Sequence, residues 1–247
     1  MDEANRIIRG ILDELREGIV PGMTTADIDS LTERRIREAG ALPAFKGYPN
    51  PGGGRGFPGS ACTSVNCEVV HGIPSQKITL REGDIVSVDV GVRYQGYYGD
   101  SAETFPVGRI GEGARRLLDV TRRALELGVE QARIGNRVSD IGYAVETHVE
   151  QNGFSVVREF VGHGIGTSLH EEPQVPNFGR PGNGKRLERG LVLAIEPMVN
   201  EGSAGVTVSA EDGWTARTLD GRLSAHFEVC VAVAENGPRV LGLPAKA

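Results

Sequence analysis

Two stretches of this chain return later in the same order, and that internal repetition limits the fold more than any other feature. PGMTTADIDSLTERRIREAGA aligns with IGNRVSDIGYAVETHVEQNGF at a shift of 113 residues, placing Gly22 on Gly135, Asp27 on Asp140, Ile28 on Ile141, Glu33 on Glu146 and Gly40 on Gly153. Further on, LREGDIVSVD aligns with LERGLVLAIE at a shift of 107, with Leu80 on Leu187, Gly83 on Gly190 and Asp89 on Glu196. Either match alone is what two amphipathic segments show by chance. Two in one order point to a structural unit used twice. The expectation is a single domain over residues 1–247, built of pseudo-symmetric halves at about 1–108 and 109–247. Each half is expected to end a strand with a carboxylate at a shared site.

Apolar residues at helical spacing predict helices at about 4–17, 25–39, 112–132 and 139–152. Runs rich in Val and Ile predict strands near 84–94, 97–107, 190–200 and 224–234. The class is therefore α+β. Glycine supplies 35 of 247 residues, roughly twice the usual ~7%, which suits tight turns around a crowded site. A net charge of -6 without a run of Lys or Arg gives no grip on phosphate, so no nucleic-acid partner is expected. The opening MDEANRIIRGILDELREG is charged throughout, so neither a signal peptide nor a membrane span is expected and the cytoplasm is the expected compartment. Cys62, Cys67 and Cys230 match no disulfide framework and no structural zinc spacing.

DIVSVDVGVRYQGYYGDSAETF reads as a hairpin turning at Gln95 and Gly96. Val86, Val88, Val90 and Val92 share one face of its first strand, which leaves Asp89 on the other. A two-residue turn pairs Tyr94 with Tyr97, Asp89 with Ala102 and Gly91 with Asp100, making Asp89 and Asp100 diagonal neighbours. On its own such a pair could face solvent. Glu228, on the polar side of the alternating SAHFEVCVAVAE, and Glu196, after the apolar run GLVLAI, change the balance. Four acids from strand faces or strand interiors repel one another unless a cation lies between them, and a metal pair supplies that charge.

Of five histidines, His71, His163 and His170 lie in segments flanked by Gly or Pro and are expected on turns above a cavity, whereas His148 belongs to a helix. An imidazole from His163 beside four carboxylates makes an oxygen-rich donor set suited to Mn, Fe or Co, with Zn less so. His71 and His170 are then free for proton transfer beside the metals.

VNCEVVHGIP, GDIVSVDVGV, YYGDSAETF, VGHGIGTSLHEEPQVPNF, LVLAIEPMV and DGWTARTLDGRLSAHFE, with the spacings between them, resemble methionine aminopeptidases of type I across almost the whole chain. The resemblance implies the pita-bread fold, with antiparallel sheet around a central dinuclear metal site and helices outside. It implies removal of the N-terminal initiator methionine from nascent polypeptides by a metal-activated water. By position, Asp100 and Glu228 look like bridging ligands of two divalent ions, Asp89 like a ligand of one, and His163 with Glu196 like ligands of the other. His71 and His170 match the family's catalytic, substrate-contacting histidines and Glu196 its proton shuttle, while Phe57, Cys62, Leu169 and Trp214 fall at the pocket walls. The implied partners are N-terminal segments of nascent chains. A monomer is expected, and transient contact with the ribosome would suit the task.

The chain also departs from the pattern. YPNPGGGRGFPG interrupts the pocket residues, adding Gly and Pro over about 49–58, and is expected to be a surface loop. His226 stands where the family commonly has glutamine, and Gly91 where it often has threonine. Two rival readings share the fold: a proline-specific aminopeptidase, whose usual extra amino-terminal domain has no room before His71, and a catalytically silent binding module, which would have lost ligands. The short NFGRPGNGKRLERG between His170 and Glu196 contrasts with the long insertion of type II.

Overall fold

In the computed structural model, which describes residues 1–243, the repeat appears first in the helices. Helices α1 (Asp2–Gly18) and α2 (Thr25–Glu38) serve the first half, α3 (Glu112–Glu130) and α4 (Val138–Gln151) the second. Asp27 accepts a hydrogen bond from the backbone N–H of Thr24 at 2.8 Å, and Asp140 accepts one from Arg137 at 2.7 Å. The two superposed aspartates thus close the starts of α2 and α4 in the same way. Just upstream, Gly22 and Gly135 hold φ of 95° and 96°, a region costly for any side chain. Their N–H groups donate to the carbonyls of Leu80 and Leu187 at 2.8 and 3.1 Å. Those leucines are the pair matched in the second repeat, so duplicated turns tie each second helix to the strand that leads into a candidate acid.

Every strand pairing is antiparallel. In the first half Ile85–Tyr94 and Tyr97–Pro106 form the hairpin, with the register Tyr94↔Tyr97, Asp89↔Ala102 and Gly91↔Asp100 as the turn dictates. Gln95 and Gly96 take φ of 48° and 84°, the left-handed pair that such a turn needs. Ala61–Val65 and Leu42–Pro43 flank Ile85–Tyr94. In the second half Gly237–Val240, Val229–Ala234, Val192–Ile195, Gly162–Gly164 and Glu171–Val175 make a five-stranded sheet in that order. Helices α1 and α2 gather Ile8, Leu15, Ile28 and Ile36 with the four alternating valines of the hairpin. Leu117, Leu118, Ile141 and Val145 of α3 and α4 gather with Leu193, Ile195 and Val231. Each half therefore has its own apolar core, and the seam between the cores carries the polar groups.

Across that seam Ala102 and Glu228 exchange backbone hydrogen bonds, from the N–H of Glu228 at 2.9 Å and from that of Ala102 at 3.3 Å. Nearby, the Thr104 hydroxyl donates to the carbonyl of His226 at 2.8 Å and accepts from its N–H at 2.9 Å.

The structure corrects two expectations. The strand expected over 190–200 is two strands, Val192–Ile195 and Met198–Asn200, and that over 224–234 is Ser224–His226 and Val229–Ala234. Val192–Ile195 pairs with Val229–Ala234, whereas Met198–Asn200 pairs with Ser224–His226 in a separate three-stranded sheet. The chain changes sheet twice, at Glu196–Pro197 and at Phe227–Glu228. Pro197 has no N–H to give a ladder, which accounts locally for the first break. The expectation that each half ends a strand with a carboxylate holds for Glu196, which directly follows Ile195, but Asp89 lies inside Ile85–Tyr94.

Candidate metal centre

The five expected ligands arrive from different elements. Asp89 and Asp100 come from the hairpin, Glu196 and Glu228 from the two sheet breaks, and His163 from Gly162–Gly164 inside the five-stranded sheet. His163 was expected on a turn; three residues are too short a strand to leave a periodic trace.

One donor atom each from Asp100, His163 and Glu228 lies within 4.8 Å of the others. His163 Nε2 is 3.6 Å from Glu196 Oε1 and 3.9 Å from Asp100 Oδ2. His163 Nδ1 stands 2.9 Å from the carbonyl oxygen of Gly164. A carbonyl only accepts, so Nδ1 carries the proton and the Nε2 lone pair faces the acids. Glu196 Oε2 is in turn 3.8 Å from Nε2 of His226.

Burial, followed by mutual repulsion, pushes the carboxyls of Asp100, Glu196 and Glu228 well above their ordinary range. Burial also lifts Asp89 to about 7, against the hydrogen bonds it shares with Asp100 and the backbone of Val90. Burial lowers His163 and His71 to about 4, with His170 nearby as a lesser cause, and takes His226 to about 3. Acids that resist ionising beside imidazoles that resist protonation form a cluster short of positive charge. Among the described residues only His163 and His226 come within ion-pair distance of these four acids; no Lys or Arg does. Asp89 Oδ1, Asp100 Oδ1 and Glu228 Oε1 are buried without a hydrogen-bond partner. Orphaned carboxylate oxygens converging with an imidazole lone pair fit a divalent cation of the harder transition series.

All eleven expected site residues line one cavity of about 660 Å³: the five above, His71, His170, Phe57, Cys62, Leu169 and Trp214. Phe57 and Trp214 meet edge to face at 5.3 Å, and His71 stands edge-on to Trp214 at 6.2 Å and to Phe160 at 5.4 Å. His71 holds φ of 61°, a strained value for a residue with a side chain and one found at functional positions. The next residue, Gly72, has room for no Cβ against the backbone of Thr63 and Ser64. The segment at 49–58 is more than a surface loop. Asn50 Nδ2 donates to Gly213 O at 3.0 Å and Trp214 Nε1 donates to Arg55 O at 3.2 Å, which docks the loop on the Trp214 wall as a rim. Tyr48, Phe45 and Phe160 also line the cavity and were missed. For Tyr48 the available signal was an aromatic between Gly47 and Pro49 at the neck of the inserted loop.

The family model of metallopeptidase family M24 matches residues 1–235. The chain belongs to metallopeptidase family M24. Within M24 it is similar to the methionine aminopeptidase of Clostridium acetobutylicum, 50% identical over 98% of this chain and 94% of that protein. The crystal structure of methionine aminopeptidase from Thermotoga maritima superposes with a TM-score of 0.94, at 46% identity, over 99% of this chain and 95% of that one. The prolidase of Pyrococcus horikoshii, at 21% identity and a TM-score of 0.75 over 99% of this chain and 61% of that one, shares the fold. This M24 chain therefore has the pita-bread α+β fold and is a metal-dependent peptidase of the methionine aminopeptidase branch. Among its described residues no helix is long and apolar enough to cross a membrane.

Proposed function

We propose that this chain removes the initiator methionine from the N-terminal segments of nascent polypeptides, as a type I methionine aminopeptidase, acting in the cytoplasm as a monomer with a single catalytic domain. The observation that carries the reading is the convergence of four acids, Asp100 and Glu228 buried and Asp89 and Glu196 half-buried, with a neutral imidazole in a cavity walled by Phe57, Cys62, Leu169 and Trp214, no Lys or Arg among the described residues being paired to them.

Two divalent ions, Co, Mn or Fe and less readily Zn, would be held by Asp89, Asp100, His163, Glu196 and Glu228. When bound they supply a water activated near neutral pH, polarisation of the scissile carbonyl and an anchor for the free amino terminus. The remaining work belongs to the chain. Glu196 accepts the proton of the attacking water at its carboxylate and passes it to the departing amine. His71 and His170, whose protonation is disfavoured by partial desolvation of their rings, offer ring N–H groups to the oxygen on which charge develops. The apolar walls keep water from the side chain of the first residue, and an unbranched thioether adapts to their shape.

Mass spectrometry of peptides incubated with metal-reconstituted protein tests the reading, using Met-Ala, Met-Pro and Ala-Pro starts. Release of methionine from the Met-Ala start, with the Ala-Pro start intact, is the expected result. Removal of alanine ahead of proline would overturn it in favour of a proline-specific enzyme, and retention of metal without any turnover would leave a binding protein.

A further inference from the structure

The inserted segment at 49–58 has no task in the chemistry above, yet it begins one residue after a side chain that touches that chemistry. The Tyr48 hydroxyl lies 2.6 Å from Nδ1 of His170, and the two rings meet edge to face with centroids 5.3 Å apart. No other hydrogen bond to the His170 ring is present among the described residues, so Nε2 is left without a protein partner while the ring lines the cavity.

The backbone of Tyr48 is held on both sides. Its N–H donates to Phe45 O at 2.8 Å and its carbonyl accepts from the N–H of Phe57 at 3.0 Å, while Gly47 N–H donates to Phe57 O at 2.8 Å. These bonds pinch the loop into a neck at Gly47–Tyr48 and Phe57. Gly56 closes it at a distance no side chain tolerates, because a Cβ there would sit 2.9 Å from Gly47 O. Beyond the neck the loop is pinned to the opposite wall through Asn50 and Arg55. Tyr48 is therefore a fixed post, and a fixed hydroxyl can set the tautomer and tilt of the imidazole it contacts.

We infer that Tyr48 is a positioning residue for His170: its hydroxyl donates to Nδ1, which fixes the imidazole proton on Nε2, and the neck of the inserted loop holds the hydroxyl there. A phenol carries its proton at neutral pH and a neutral imidazole has one accepting nitrogen, so this arrangement satisfies both groups. The Nε2–H then points its hydrogen bond at the oxygen of a bound peptide instead of at the protein. The inference rests on the catalytic role proposed for His170.

The test compares Tyr48→Phe, which keeps the ring and removes only the oxygen, with His170→Ala, using methionine release for turnover and nitrogen NMR of the His170 ring in the metal-free protein for the tautomer. Tyr48→Phe is expected to lower kcat about 10- to 100-fold with little change in KM, an unchanged melting temperature and unchanged metal uptake. The parent ring is expected to show the signature of a proton on Nε2 alone, and the variant a mixture of both tautomers. Tyr48→Phe with parental kcat beside an inactive His170→Ala would overturn the inference and spare the role of His170, as would a proton on Nδ1 in the parent ring. A fully active His170→Ala would overturn both.

Discussion

Replacing Asp89 with asparagine should stabilise the metal-free protein and weaken the metal-loaded one. In the fold its carboxyl sits at about 7 against an ordinary 3.8, chiefly because it is buried. The folded protein thus holds this proton more tightly than the unfolded chain. Stability from this group is complete below the unfolded value near pH 4, falls as pH rises through the folded value near 7, and is flat above. At about 1.4 kcal/mol for each pH unit between the two values, keeping the group ionised above pH 7 costs the fold on the order of 4 kcal/mol. Asparagine carries no such charge. Urea denaturation in EDTA at about pH 8 should give Asp89→Asn more stability than the parent, approaching that amount, with the gain fading as pH falls toward 4. Saturating Mn should reverse the order, since the parent gains more from binding with its ligand intact. A variant less stable than the parent in EDTA at the higher pH, or a difference independent of pH, would refute the reasoning that uncompensated acid burial dominates this site.

His71→Ala should retain metal uptake by calorimetry while turnover falls about 10²- to 10⁴-fold, whereas Asp100→Ala should lose both; full activity in either would contradict the roles given. Gly91→Ala should push the Phe45 ring out of its place in the cavity wall, because a Cβ at Gly91 overlaps that ring. The expected cost is about 1–3 kcal/mol of stability and a raised KM for methionyl peptides. Parental melting and an unchanged Michaelis curve would show that the ring moves aside freely.

How much was legible in the sequence depended on whether local rules reached the residue. The hairpin was legible to the residue, because a two-residue turn fixes register and parity and so puts Asp89 and Asp100 on one face. The sheet changes at Glu196 and Glu228 were not. Ala225, Phe227, Val231 and Val233 keep facing the second core on both sides of the break, so alternation continued while the pairing partner changed. Pro197 was the one printed hint. His163 hid on a strand too short for periodicity. Tyr48 and His170 are 122 residues apart, and only the folded neck of the loop brings them together.

The backbone exchange between Ala102 and Glu228 has a consequence for how such a site can arise. The first half contributes Asp89 and Asp100 and the second His163, Glu196 and Glu228, so neither half alone brings the five candidate ligands together. Joining two copies of one ancestral unit edge to edge would create the chemistry in the act of assembly, with the pocket belonging to neither parent. Afterwards each copy could diverge freely except where it touches the other.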